Sequence, residues 1–328
     1  MMFWKYTISV LVIFGLAVTV SAEDGNGGYA APFLEIPIGA RPAGMGGAFI
    51  SIADDGAGMF FNPAGVCEIR NTLFSSSYRL MDLDRTLTHA SFVIPTANKS
   101  ALSFSWLYAG SGDVEARNSD GDKLGYEFGM DNHKFSFAFS KRFEDFLAAG
   151  ISGSYLHSSF SEMTSFSVSL DLGLILYFDQ FKTREQREAA SIRDLQAGIV
   201  VRNIGANYRW NNENFLGARG IEALPYEVED KVPLEFGAGG SARFFNRKLL
   251  TAVDLVANTE SDFALHGGLE YFLSPQFALR TGYSDKSFTA GTGYVFKLSG
   301  FVAAIDYAFS SEKVDEGSEH IFSFDVLF

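Results

Sequence analysis

From Thr72 to Phe328 the chain repeats one pattern, apolar residues alternating one for one with small or polar ones. Phe104, Trp106 and Tyr108 are separated by Ser105 and Leu107, and Phe135, Phe137 and Phe139 by Ser136 and Ala138. Phe166 to Leu176 and Phe301 to Phe309 repeat the theme. Period two is the signature of a strand with two unlike faces. It predicts strands over 72–79, 86–94, 101–109, 133–142, 146–157, 163–178 and 191–204, and then over 232–243, 248–257, 262–272, 275–284, 287–297, 299–310 and 318–328. The number is even, and many of the runs reach ten to twelve residues. Ordinary strands average about 5–6 residues, whereas a tilted strand crossing a bilayer needs about 9–11.

The two faces decide what surrounds such a sheet. One face is apolar, with Phe104, Trp106, Phe135, Phe137, Leu172 and Leu174 expected to meet lipid. The other carries Arg202, Glu235, Asp254, Glu270, Arg280, Asp306 and Asp325, which suits a polar lumen better than a dry core. A sheet in a bilayer must satisfy every backbone donor and acceptor, so it must close. The fold class expected is therefore all-β, a 14-stranded antiparallel transmembrane barrel. The two longest connections, about 110–132 and 205–231, fall on the same expected outer side, as in outer-membrane barrels. A charged segment at 179–190 is the one long inner connection, with room for a short helix. Phe322, Phe324, Val326 and the terminal Phe328 share one face of the last strand. A terminal Phe on an alternating strand resembles the sorting signal read by the barrel-assembly machinery.

The first 70 residues behave differently. Lys5, the apolar run Tyr6 to Val20 and the small-residue site Val20-Ser21-Ala22 make residues 1–22 an export signal, cleaved after Ala22. Residues 23–70 hold four of the eight prolines and ten of the 33 glycines, which excludes a long helix or a central strand. Short turns and helical pieces are expected, packed through Phe33, Leu34, Ile36, Phe49, Ile52, Phe60 and Phe61. Fourteen strands enclose more space than their own side chains fill, so this segment is read as a plug within a barrel of residues 71–328.

The plug carries the most specific motif. Phe33-Leu34-Glu35-Ile36-Pro37-Ile38-Gly39-Ala40-Arg41-Pro42-Ala43-Gly44-Met45-Gly46-Gly47-Ala48-Phe49, then Ala53-Asp54-Asp55 and Asn62-Pro63-Ala64-Gly65, resembles the opening motif of PorV/PorQ family proteins. That family is similar to the FadL superfamily of long-chain fatty acid transporters, and the resemblance implies a 14-stranded outer-membrane barrel with an N-terminal hatch. The residues themselves suit that place. Gly44, Gly46 and Gly47 permit turning and close packing. Arg41 can pair with Asp54 and Asp55 or with inward barrel charges. Asn62 before Pro63 suits a turn.

Enzymatic chemistry has no visible carrier. His89, His133, His157, His266 and His320 show no metal-ligand spacing, and Gly44-Met45-Gly46-Gly47 lacks the Lys and Ser/Thr of a phosphate loop. Asn118-Ser119-Asp120-Gly121-Asp122 lacks the terminal Glu of a calcium loop and reads as a solvated turn. Cys67 is the only cysteine, read as a small buried apolar residue, and the formal charge of −13 argues against nucleic acid. Neither a metal nor a cofactor is expected. The resemblance implies a non-enzymatic outer-membrane protein that docks or shuttles type IX secretion cargo bearing a C-terminal signal. The alternative is FadL-like, plug-gated passage of hydrophobic small molecules such as fatty acids or hydrocarbons. Expected partners are outer-membrane lipid, the assembly machinery, and either secretion components with their cargo or a hydrophobic ligand.

Overall fold

The structure is a computed structural model, and it describes residues 29–328 except 113, 119, 184, 187–189, 220–223, 261–262, 285–286 and 312–316. The export signal lies outside the described residues. Alternation over long runs yields strands β1 (Leu73–Leu80), β2 (Thr86–Thr96), β3 (Ser100–Gly110), β4 (Val114–Arg117), β5 (Lys123–Phe128) and β6 (Met130–Phe143). They are followed by β7 (Leu147–Phe160), β8 (Met163–Tyr177), β9 (Arg193–Ile204), β10 (Asn207–Asn211), β11 (Glu227–Lys231) and β12 (Glu235–Phe244). The last six are β13 (Leu249–Asn258), β14 (Ala264–Phe272), β15 (Phe277–Ser284), β16 (Ser287–Leu298), β17 (Phe301–Ser310) and β18 (Glu319–Leu327).

Fourteen of these form a closed antiparallel barrel in the order β1, β2, β3, β6, β7, β8, β9, β12 to β18, with β18 returning to β1. Closure is direct: Leu73 faces Leu327 and Leu80 faces His320. Each of the fourteen expected segments overlaps one barrel strand. The two long connections each contain an additional hairpin, β4–β5 and β10–β11, whose strands of only four to six residues are too short for period two to reveal. Both hairpins lie at the end of the barrel away from Phe328, here called the mouth. The connection after β8 opens with a 3₁₀ turn at Phe178–Phe181.

Period two sorts the side chains as expected. Phe104, Phe135, Phe137, Leu172 and Leu174 are exposed on the outside and Trp106 is half-buried among outward rings, while Ser105 and Ser136, one step away, are buried inside. Across the outer wall Tyr108, His133, His157 and Phe166 are register partners in one row. His133 and His157, 24 positions apart in sequence, thus stack with ring centroids 6.3 Å apart. Among the described residues no group of His, Cys, Asp and Glu is arranged to hold a metal ion.

Inside the barrel lie residues 29–69, as short helical pieces at Pro32–Glu35, Ala40–Gly44, Gly58–Phe61 and Pro63–Glu68. They touch inward-facing atoms on nearly every strand, and Ala40, Met45, Ala48, Phe49, Ala53, Ala64 and Val66 have no more than a trace of exposure. The inward charges of the wall therefore meet this segment rather than bulk water. That is the physical reason so many of them are tolerated in a closed interior.

Candidate functional site: the filled lumen and the cavity at its mouth

Arg41 is the centre of a charge network that ties the segment to the wall. The short helix at Ala40–Gly44 aims its guanidinium at Glu270 on β14, with Nε donating to Oε1 at 3.0 Å and Nη2 to Oε2 at 3.2 Å. Its Nη1 donates to Asp54 Oδ1 at 2.5 Å and lies 3.7 Å from Asp55 Oδ2. Glu270 also accepts from Arg280 Nε at 2.8 Å, and Arg280 Nη1 donates to Asp306 Oδ1 at 2.5 Å. Burial would lower the Arg41 pKa, but Asp54, Glu270 and Asp55 hold it well above its ordinary value. Burial pushes the Asp55 carboxyl up to about 8 against the pull of Arg41, with Asp325 and Asp54 adding to the rise.

The other motif residues hold the backbone against the wall. Gly39, Gly46 and Gly47 have φ of +83°, +66° and +78°, the left-handed region that side chains disfavour. A Cβ on Gly46 would also lie 2.4 Å from the Tyr283 carbonyl oxygen. Gly44 packs on Gly291, and Gly65 on Ala53. Asn62, fully buried, donates from Nδ2 to the carbonyls of Ile50 (2.9 Å), Leu174 (3.2 Å) and Ile199 (3.3 Å). Its Oδ1 accepts from the Ala64 N–H at 3.0 Å, so it caps the 3₁₀ turn that Pro63 opens.

Several anchors escaped the sequence reading. Asp254 Oδ2 accepts from the N–H groups of Phe49 (2.6 Å) and Ile50 (2.8 Å). Ser323 Oγ accepts from the Ala40 N–H, Ser91 Oγ donates to Gly56 O, and Thr289 Oγ1 donates to Gly44 O. His266 Nδ1 lies 2.8 Å from Gly46 O. From the sequence Asp254 is visible only as an inward charge. The hydroxyl anchors carry no sequence signal, because inward serines and threonines recur on most strands. Phe322, Phe324 and Phe328 are exposed on the outer face, Val326 is half-buried, and the Phe328 N–H donates to Thr72 O. Cys67 is buried, its Sγ 3.3 Å from Ala64 O, and burial pushes its thiol up to about 11.

At the mouth the segment leaves a cavity of about 530 Å³. Phe33, Ile36, Phe60, Phe61, Val256 and Ala257 supply apolar lining, and Arg79 and Arg202 lie in its wall. Arg79 Nη1 pairs with Glu319 Oε2 at 2.7 Å and Nη2 donates to Pro37 O at 2.9 Å. Arg202 donates to Glu235 and, at 2.6 Å, to Phe60 O. A smaller, polar cavity of about 190 Å³ lies at the opposite end, among Asp54, Glu68, Asp194 and Arg243.

No protein-family model matches the sequence, and no curated protein matches it. Solved structures do match in three dimensions. The toluene transporter TodX of P. putida superposes with a TM-score of 0.64 at 12% identity, covering 89% of this chain and 98% of that one. The Ralstonia pickettii toluene transporter TbuX gives 0.62 at 13%, covering 89% and 98%. A Pseudomonas aeruginosa FadL homologue gives 0.59 at 12%, covering 92% and 99%. At such low identity, what this chain shares with those barrels is their fold.

Proposed function

We propose that this protein is a non-enzymatic outer-membrane barrel that admits small hydrophobic molecules, with residues 29–69 as a plug that gates the passage. The observation that carries the reading is the 530 Å³ cavity at the mouth, lined by aromatic and aliphatic side chains of the plug itself. A concave, mostly apolar chamber with a few fixed polar groups is the usual form of a small-molecule site. Because its floor is the plug, a molecule leaves it inward only when the plug shifts or the wall parts. The toluene transporters and the FadL homologue that share the fold support this reading over cargo docking, which rests on the N-terminal motif alone. The same fold supports an outer-membrane location, with the mouth outward and Phe328 at the periplasmic end.

The test is entry of a hydrophobic probe into cells whose outer membrane is otherwise tight. Cells assembling the heat-modifiable barrel should take up labelled toluene several-fold faster than cells with an empty vector. Equal rates with the barrel correctly assembled would overturn the proposal. Co-purification of a secreted protein bearing a C-terminal signal domain, together with such equal rates, would favour docking instead.

A further inference from the structure

Resting on the passage reading, we infer that the mouth and its cavity discriminate by charge, accepting uncharged hydrophobic molecules and refusing organic anions such as carboxylates. Three observations converge on this.

The first is the mouth itself. Among the described residues, the connections at that end (81–85, 111–112, 114–118, 120–129, 161–162, 205–219, 224–234, 259–260, 263, 311 and 317–318) contain twelve acidic and six basic residues. Those described at the opposite end (97–99, 144–146, 178–183, 185–186, 190–192, 245–248, 273–276 and 299–300) contain four acidic and four basic. Among the described connections the excess of acid thus lies where a solute arrives. Exposed Glu227, Glu229 and Asp230 on β11 belong to this acidic rim. A rim with an excess of one sign around a low-dielectric opening focuses its field on whatever approaches.

The second is the state of the inward cations. Among the described residues Arg41, Arg79, Lys134, Arg202 and Arg280 face the lumen, and each already faces a carboxylate. Three arginines line the cavity: Arg79 and Arg202 also donate to plug carbonyls, and Arg85 Nε donates to Asp82 O at 3.1 Å. Arg79 keeps an unpartnered N–H at Nε, but that atom is fully buried. A carboxylate entering the cavity would lose its hydration and find its natural partners occupied, which is the expensive way to bury a charge.

The third is the surplus of acid beyond those pairs. Asp254 and Asp325 each leave one buried carboxyl oxygen without a partner, and Asp55 stands 3.7 Å from an Arg41 already engaged by Asp54 and Glu270. None of these carboxyl groups adds a cation to the interior, so none can balance an entering carboxylate. An uncharged molecule meets neither penalty and keeps the gain from contact with Phe33, Phe60 and Phe61.

The test compares four probes that share one ring: toluene, benzyl alcohol, benzamide and benzoate. Retention by the intact protein in lipid nanodiscs is measured at pH 7.5 against empty nanodiscs. The three neutral probes should be retained at least tenfold better than benzoate. Glu319→Gln and Glu235→Gln, which release Arg79 and Arg202, should each lower that neutral-to-anion ratio at least fivefold. If either variant loses heat-modifiability, the wild-type comparison decides alone. Benzoate retained as well as toluene would overturn the charge inference and leave the passage reading standing. Exclusion of benzamide along with benzoate would also overturn it, since polarity rather than charge would then be the filter. Retention of no neutral probe would overturn both readings together.

Discussion

The two halves of the barrel wall hold the N-terminal segment by different means. From β12 to β18 the inward face is built of charges and glycines, with Asp254, Glu270, Arg280 and Asp306 reaching residues 40–55 directly or through one another. From β1 to β8 it is a field of buried serines, among them Ser75, Ser77, Ser103, Ser105, Ser136 and Ser154. Many of these bond one another or nothing: Ser136 meets Ser154, and Ser105, Ser140 and Ser169 leave buried hydroxyls unpartnered. Between Arg79, which donates to Pro37 O near the mouth, and Arg142, which pairs with Glu68 at the other end, the segment approaches this half by shape, through Asn62 and wall glycines such as Gly173, where a Cβ would lie 1.9 Å from Asn62 Oδ1. Directed charge bonds lose much when one partner is removed, while small neutral hydroxyls lose little. The charged half is the latch, and the serine half is the surface it closes against.

The most severe way to test this contrast is to remove what both halves hold. Deleting residues 29–60 while keeping the export signal should turn a poorly conducting barrel into an open pore in planar bilayers. Unchanged conductance of a folded deletion protein would mean that the segment does not occlude the lumen. Next in size is Glu270→Ala, which leaves Arg41 and Arg280 short of a shared carboxylate and should cost about 3–5 kcal/mol of seating. Cys67 provides the readout: buried and with a raised pKa, it should resist a water-soluble maleimide in the wild type and react at least tenfold faster in the variant.

Asn62→Ala should come third. It leaves the Ala64 N–H without its capping acceptor and removes the Asn62 donor from the carbonyls of Ile50, Leu174 and Ile199, at a cost of about 1–3 kcal/mol. Cys67 labelling should rise by less than in Glu270→Ala. A weaker effect is expected from pH. Asp55 has a raised pKa of about 8 in the folded state, so its protonated form is the favoured one there. The sign follows: seating is strongest at low pH and weakens as pH climbs from the ordinary carboxyl range through about 8. Cys67 accessibility, read with a probe whose own reactivity is corrected for pH, should increase between pH 6 and 9. The increase should shrink in Asp55→Asn. Smallest of all is Ser105→Ala on the serine half, expected within about 0.5 kcal/mol of wild type because its hydroxyl has no partner to lose. A large loss of thermal stability there would break the contrast between the halves.

The architecture was legible in the sequence because period two is a property of the chain alone. Phe135, Ser136 and Phe137 must point to opposite faces wherever the strand lies, and fourteen such runs ending at Phe328 leave few ways to avoid a closed barrel. Glycine and proline spacing likewise called for short turns and helical pieces over residues 23–70, as the described residues 29–69 show, and the inward charges were visible as charges out of phase with the apolar face. Tertiary structure alone decided which charge met which. Arg41 and Glu270 are 229 positions apart, and no local rule relates them; only the closure and stagger of the strands bring them to 3.0 Å. The same holds for Asp254 beneath the Phe49 and Ile50 N–H groups, and for the cavity that Phe33 and Phe60 share with Val256 and Ala257. Alternation fixes a direction for each side chain, but distance across a lumen depends on how many strands close and by how much each is offset from the next.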